Sequence, residues 1–211
     1  MDLPTWFAFA SASIALLLIP GPTVLLVLAY ALGQGRRVAV PTALGVAAGD
    51  LIAMTASLAG LGALVLTSAT LFTVLKWVGA VYLVWLGLRM IASAGRSSGL
   101  SVKADRTPIT GREAFLNAAA VTALNPKSIV FFVAFVPQFL SPSAAFAPQA
   151  AILILTFVGF AAINALAYAI LADRLRAKIA RPRVLTWMTR VGGGALVAMG
   201  LATAAVRRGT A

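Results

Sequence analysis

Long apolar blocks, each closed by a short polar or basic stretch, organise this chain. They fall at 3–32, 38–66, 71–94, 114–140, 148–172 and 185–206. Crossing a bilayer as a helix takes roughly 20 apolar residues, so each block is long enough to span, some with tilt. The pattern predicts an all-α integral membrane protein with six transmembrane helices and short connections. Pro and Gly recur inside the blocks, as membrane helices tolerate better than soluble ones do.

Composition excludes the soluble alternative. Of 211 residues, 61% are hydrophobic and 10% charged, with mean hydropathy +0.99, whereas soluble domains run about 45–50% apolar and about 25% charged. The first residues do not read as a cleaved signal peptide, whose n-region is positive. Asp2 stands there instead, followed by an uncharged run at 3–35 that reads as the first span.

Charge gives the orientation. The net charge is +12, but the bases sit in clusters between apolar blocks. Arg36 and Arg37 follow the first span, and Arg89, Arg96, Lys103, Arg106 and Arg112 surround the third connection. Arg174, Arg176, Lys178, Arg181, Arg183 and Arg190 surround the fifth, which brings the total on that side to 13 of 17 bases. Cytoplasmic loops carry such an excess, so both termini are expected outside. Arg207 and Arg208, after the sixth span, run against that assignment. The scattered clusters also argue against a nucleic-acid partner.

What is missing narrows the chemistry. The chain has no Cys, no His and five acidic residues. Thiol chemistry and disulfides are excluded, a metal site is not expected, and little remains for hydrolytic catalysis. The expectation is a protein that is not an enzyme and carries no cofactor.

The two halves correspond. VGAVYLVWLGL at 78–88 matches VGGGALVAMGL at 191–201, with Val, Gly, Leu, Val, Gly and Leu at equal offsets. Pro22 matches Pro126, and the segment from Gly45 to Asp50 matches that from Gly159 to Asn164. Three spans is an odd number, so the second half is inverted relative to the first. This predicts two inverted three-helix repeats, 1–94 and 113–211, joined by a basic cytoplasmic loop at 95–112. Secondary transporters are built this way, with sites at the midplane where broken helices meet.

Pro20, Gly21 and Pro22 lie near the middle of the first span, where proline removes a backbone donor and clashes with the preceding turn. The helix should break there, with Pro22 opening a second half-helix. In the fourth span Asn125 precedes Pro126, an N-cap residue before a helix-start proline. The two positive helix ends would receive a substrate carboxylate; kinks that only shape packing would be the reading for a single proline, whereas paired breaks in matching halves favour function.

Asp50 and Lys127 lie near the centres of the second and fourth spans. Placing either there costs about 2.5–3.5 kcal/mol on insertion scales, which makes a functional site the default hypothesis. An Asp50–Lys127 ion pair would neutralise both, and is compatible with function. Low dielectric disfavours a charged carboxylate, so Asp50 is the candidate for proton coupling or for holding a substrate ammonium. Asn164, the counterpart of Asp50, would line the site or make an interhelical hydrogen bond. Lys76 and Arg89 are expected to snorkel to the interfaces. Gly79, Gly87, Gly192 and Gly200 are expected to permit close helix packing, and Trp77, Trp85 and Trp187 read as interface or packing residues.

The Pro20-Gly21-Pro22 run, the GVAAGD segment from Gly45 to Asp50 and the NPKSIVFFVAFVPQF stretch from Asn125 to Phe139 resemble the LysE/RhtB family of bacterial amino-acid exporters. The resemblance runs from the first span through the last, and the three motifs together are specific. It implies a six-helix, multi-pass protein of the bacterial inner membrane that exports amino acids or their derivatives, driven by the proton gradient. The motif positions carried over are Pro20, Gly21, Pro22, Gly45, Gly49, Asp50, Asn125, Pro126 and Lys127. Family members take basic amino acids, threonine, homoserine or leucine, and no residue here selects among them. The related branches for thiol electron transfer and metal export would need Cys or acidic and His-rich segments, which are missing.

The leading expectation is a secondary transporter of neutral or weakly polar amino acids, with protons and the bilayer as its other partners and the oligomeric state open. In it the substrate carboxylate meets the helix ends after Gly21 and Asn125 with Lys127, and its ammonium faces Asp50. A channel is the alternative, since half-helices also meet in pores, although a central Lys127 would repel cations. An intramembrane enzyme ranks third, because it would need a nucleophile and base or a metal-binding acid cluster at depth.

Overall fold

The computed structural model describes residues 1–19, 21–94, 108–141, 143–179 and 182–205. Pro20 and most of the basic loop expected at 95–112 lie outside the described residues, as do Arg207 and Arg208. Among the described residues the protein is all helical. Helix α1 covers Leu3–Leu18 and α2 covers Pro22–Gln34; a turn of 3-10 helix, Gly35–Val38, leads into α3 at Ala39–Thr67, and α4 spans Ala69–Ser93. Beyond the loop come α5 at Gly111–Ala123, α6 at Pro126–Val130, α7 at Phe146–Ile179 and α8 at Pro182–Ala205.

Helix ends follow from local chemistry. Asp2 caps α1 by accepting from the Thr5 N–H at 2.8 Å, and Ser68, the only residue between α3 and α4, accepts from Leu71 N–H at 3.2 Å. Thr110 and Glu113 form a reciprocal capping box on α5. Both predicted breaks are present: α1 and α2 are bent by 55°, and α5 and the helical segment from Pro126 to Phe139 by 45°. Past α6 the backbone widens into a π turn at Phe131–Phe135 and tightens into 3-10 helix at Val136–Phe139.

Among the described residues three helices, α3, α4 and α7, are long and apolar enough to cross a membrane, and up to five spans result if each bent pair counts as one. The sixth expected span is the helix α8, which falls outside that set. Its first half carries Arg183, Thr186, Thr189 and Arg190, and three glycines follow at 192–194.

Packing relies on small residues. Helix α3 lies along α5 and α7, and α4 lies along α8. A Cβ at Gly45 would run into the Phe115 carbonyl, and one at Gly49 into the Ala119 carbonyl, so these glycines let α3 and α5 approach at backbone distance. Between α4 and α8, a Cβ at Gly87 would meet the Gly193 carbonyl and Val197, and a Cβ at Gly200 would meet the Ala80 carbonyl and Val84. Gly159, matched in sequence to Gly45, differs: it is exposed, with nothing near the position of its missing Cβ.

Phe9, Phe131, Phe132 and Phe157 are fully buried, and the ring of Phe132 meets Phe157 edge to face at 4.8 Å between centroids. Leu155 (70% exposed), Ile163 (67%) and Val81 (64%) lie on the outside. Apolar side chains facing outward at that level suit a lipid surround.

Candidate functional site

The broken first span takes regular helical partners away from backbone acceptors. In a continuing helix the Leu16 carbonyl would accept from the N–H of residue 20 and the Leu18 carbonyl from that of residue 22, and both are prolines; the Leu16 carbonyl instead accepts from the Ile19 N–H at 3.2 Å. Groups from the second half of the chain cap this end. The Lys127 ammonium donates to the carbonyls of Leu16 and Ile19, each at 3.1 Å. Asn164, on α7, donates through Nδ2 to the Leu17 carbonyl at 3.3 Å.

Lys127 is positioned by its own helix start. Asn125, 4% exposed, is the N-cap of α6, and its Oδ1 accepts from the Lys127 backbone N–H at 3.1 Å. Its Nδ2 donates to Thr23 Oγ1 at 3.4 Å, and Thr23 Oγ1 lies 3.3 Å from Thr122 Oγ1. This polar chain ties the start of α2 to the end of α5. At the start of α2 no side chain caps the backbone N–H groups, because the N-cap is Gly21.

Asp50 sits on α3 directly after Gly49, one of the two glycines at which α3 packs closely on α5. Only 2% of it is exposed, and its Oδ1 has no hydrogen-bond partner. Asp50 and Lys127 line one cavity, together with Thr23, Asn125, Ser128, Asn164 and Tyr168, against walls formed by Leu17, Val24, Val27 and Val46. The ion pair weighed from the sequence is not formed: the ammonium of Lys127 is held by the α1 carbonyls, and the carboxylate of Asp50 stays unpaired. The cavity measures about 30 Å³, room for about two water molecules. At this volume it is too small for an amino acid.

Of the residues singled out from the sequence, Asp50, Asn125, Lys127 and Asn164 meet at this cavity. Gly21 lies beside it, the position of its missing Cβ being 3.5 Å from Lys127 Nζ. Pro22 and Pro126 open α2 and α6 without lining the cavity, and Gly45 and Gly49 act in packing. Sequence reasoning missed Thr23, Thr122, Ser128 and Tyr168. One signal was available: Ala161, Asn164, Ala165 and Tyr168 are spaced along one face of a helix.

A helical membrane protein whose broken helices close around a buried carboxylate and ammonium belongs to the class of polytopic transport proteins. Comparison with known proteins places it further. Residues 14–206 match the LysE type translocator family, and the chain belongs to that family. It is 34% identical over 207 residues to the homoserine/homoserine lactone efflux protein of Salmonella typhimurium, covering 98% of this chain and 99% of the relative. An uncharacterized membrane protein of Vibrio cholerae is 32% identical over 216 residues, covering 98% of this chain and all of the relative. The leucine efflux protein of Salmonella choleraesuis is 32% identical over 139 residues, covering 66% of this chain and 65% of the relative. No solved structure matches the chain. As a translocator, the protein is a transporter and not an enzyme.

Proposed function

We propose that this protein exports neutral or weakly polar amino acids, of the homoserine, threonine or leucine type, across the bacterial inner membrane in exchange for protons. The observation that carries the reading is the unpaired Asp50 carboxylate facing the same cavity as the Lys127 ammonium. An ammonium has three N–H donors, and two of those of Lys127 go to Leu16 and Ile19. The third, with the uncapped start of α2 beside Gly21, is left for a substrate carboxylate. The substrate ammonium goes to Asp50.

The relatives' names support giving Asp50 this part. Homoserine, homoserine lactone and leucine differ in side chain, and the lactone has no free carboxylate, but all three carry an α-ammonium. A single carboxylate that holds either that ammonium or a proton, and not both at once, couples the two by competition. Export would then return Asp50 to the inside in its protonated form.

Alternating access follows from reading the chain as six spans in two inverted repeats, 1–94 and 113–211, with both termini outside. Three pairs of corresponding positions line the one cavity, namely Asp50 with Asn164, Thr23 with Lys127, and Val24 with Ser128, in support of that reading. So do the contacts between α4 and α8: Gly87 meets Gly193 and Val197, and its counterpart Gly200 meets their counterparts Ala80 and Val84. One repeat rocking against the other would widen the small cavity and open it to each side in turn.

Ligand-induced stabilisation tests the substrate class. The purified protein in detergent is titrated with homoserine, threonine, leucine and lysine while thermal unfolding is followed. The reading expects the first three, or a subset, to raise Tm in a saturable way that disappears in Asp50→Asn. No stabilisation by any amino acid would count against it.

A further inference from the structure

The carbonyl cluster at the broken end of α1 has the chemistry of a cation site. In transporters with discontinuous helices, unwound carbonyls and half-helix C-terminal ends coordinate the coupling cation. Here Pro20 and Pro22 remove the helical donors of the Leu16 and Leu18 carbonyls, and Leu16 keeps one backbone partner, the Ile19 N–H at 3.2 Å. The negative end of the α1 dipole adds to their potential, and the Asp50 carboxylate lines the same cavity. The group found there is the Lys127 ammonium, 3.1 Å from both the Leu16 and the Ile19 oxygens.

We propose that Lys127 is a tethered cation standing where a free coupling cation would bind, its ammonium taking the place of an inorganic ion at the end of α1. The inference rests on reading this cavity as the transport site. A covalently held ammonium that donates to the Leu16 and Ile19 carbonyls leaves no need for an inorganic cation to hold α1 against the second half. Coupling is then left to the one other ionisable group at the cavity whose charge is unpaired, Asp50.

Emptying the site tests this. Lys127→Ala removes the ammonium and leaves a hole able to take a small cation, whereas Lys127→Met removes the charge and keeps the hole filled. Thermal unfolding of wild type and both variants is compared in methylammonium, sodium and choline chloride, choline being too large to enter. Wild type and Lys127→Met are expected to unfold at the same temperature in all three salts. Lys127→Ala is expected to be less stable than wild type in choline, and to gain about 3–6 °C from methylammonium or sodium at ten times its Kd. An Ala variant indifferent to the cation would overturn the proposal. If that variant does not fold, wild-type export with sodium replaced by choline at constant pH gradient decides: unchanged flux is expected, and a sodium requirement would overturn it. The unfolding readout needs no substrate, so a failure to export amino acids and a failure of the tethered cation are told apart.

Discussion

Asp50 on α3 and Asn164 on α7, which align when the two halves of the sequence are laid on one another, face one cavity, yet only Asn164 is engaged, donating to the Leu17 carbonyl at 3.3 Å. The Oδ1 of Asp50 is buried without a partner. A buried carboxylate left unpaired is costly, and retaining one is intelligible if it has to exchange partners. Asp50→Asn keeps the shape and removes the charge. Export driven by a pH gradient should fall at least tenfold, toward the level of protein-free vesicles. Asparagine at 50 with gradient-driven export intact would remove Asp50 from the coupling.

Gly21 has an extended backbone, φ −142° and ψ −175°, which any residue can adopt. What its lack of a side chain provides is room, since a Cβ there would stand 3.5 Å from Lys127 Nζ. Gly21→Ala should therefore leave Tm nearly unchanged while placing a methyl between the ammonium and a substrate carboxylate. Losing one hydrogen bond to a charged group, about 1.5–3 kcal/mol, would raise KM by about tenfold or more. Transport kinetics measured beside thermal unfolding separate this from a general loss of stability.

Gly45 and Gly159 correspond in sequence but not in surroundings. Alanine at 45 would press on the Phe115 carbonyl and Ala118, part of which is backbone that cannot yield. A loss of about 1–3 kcal/mol is expected. Alanine at 159 meets open space and should be neutral, or stabilising by up to about 1 kcal/mol through helix propensity. Unfolding of the two variants in one detergent gives the comparison.

Gly87 and Gly200 make the opposite case: Gly87 meets Gly193 and Val197, and Gly200 meets Ala80 and Val84, which align with them in sequence. Gly87→Ala and Gly200→Ala should each destabilise, by similar amounts of about 1–3 kcal/mol. Clearly unequal losses would argue that the two helices do not share an axis of approximate symmetry.

Much of this was legible in the chain because proline and ionisable residues at membrane depth have few structural outlets. The breaks before Pro22 and at Asn125 follow from missing donors and from capping, and Asp50, Asn125, Lys127 and Asn164 do converge. What the residues could not reveal was the partner of Lys127. An opposite charge suggested Asp50, whereas the carbonyls of Leu16 and Ile19 compete for the ammonium only once the second half packs against α1. Thr23 and Tyr168 look like ordinary helix residues until α2 and α7 bring them to one cavity, and Thr122 until α5 brings it to Thr23. Likewise the exposure of Gly159 depends on which helix lies beside α7, and no local pattern encodes that.

The most direct test of the central claim loads proteoliposomes of the purified protein with a mixture of common amino acids and imposes a pH gradient. The contents are then analysed over time. Selective, saturable loss of a few neutral or weakly polar amino acids, present with the gradient and absent without it, is the predicted result. Conductance or leakage that ignores the gradient, or retention of every amino acid in the mixture, would contradict it.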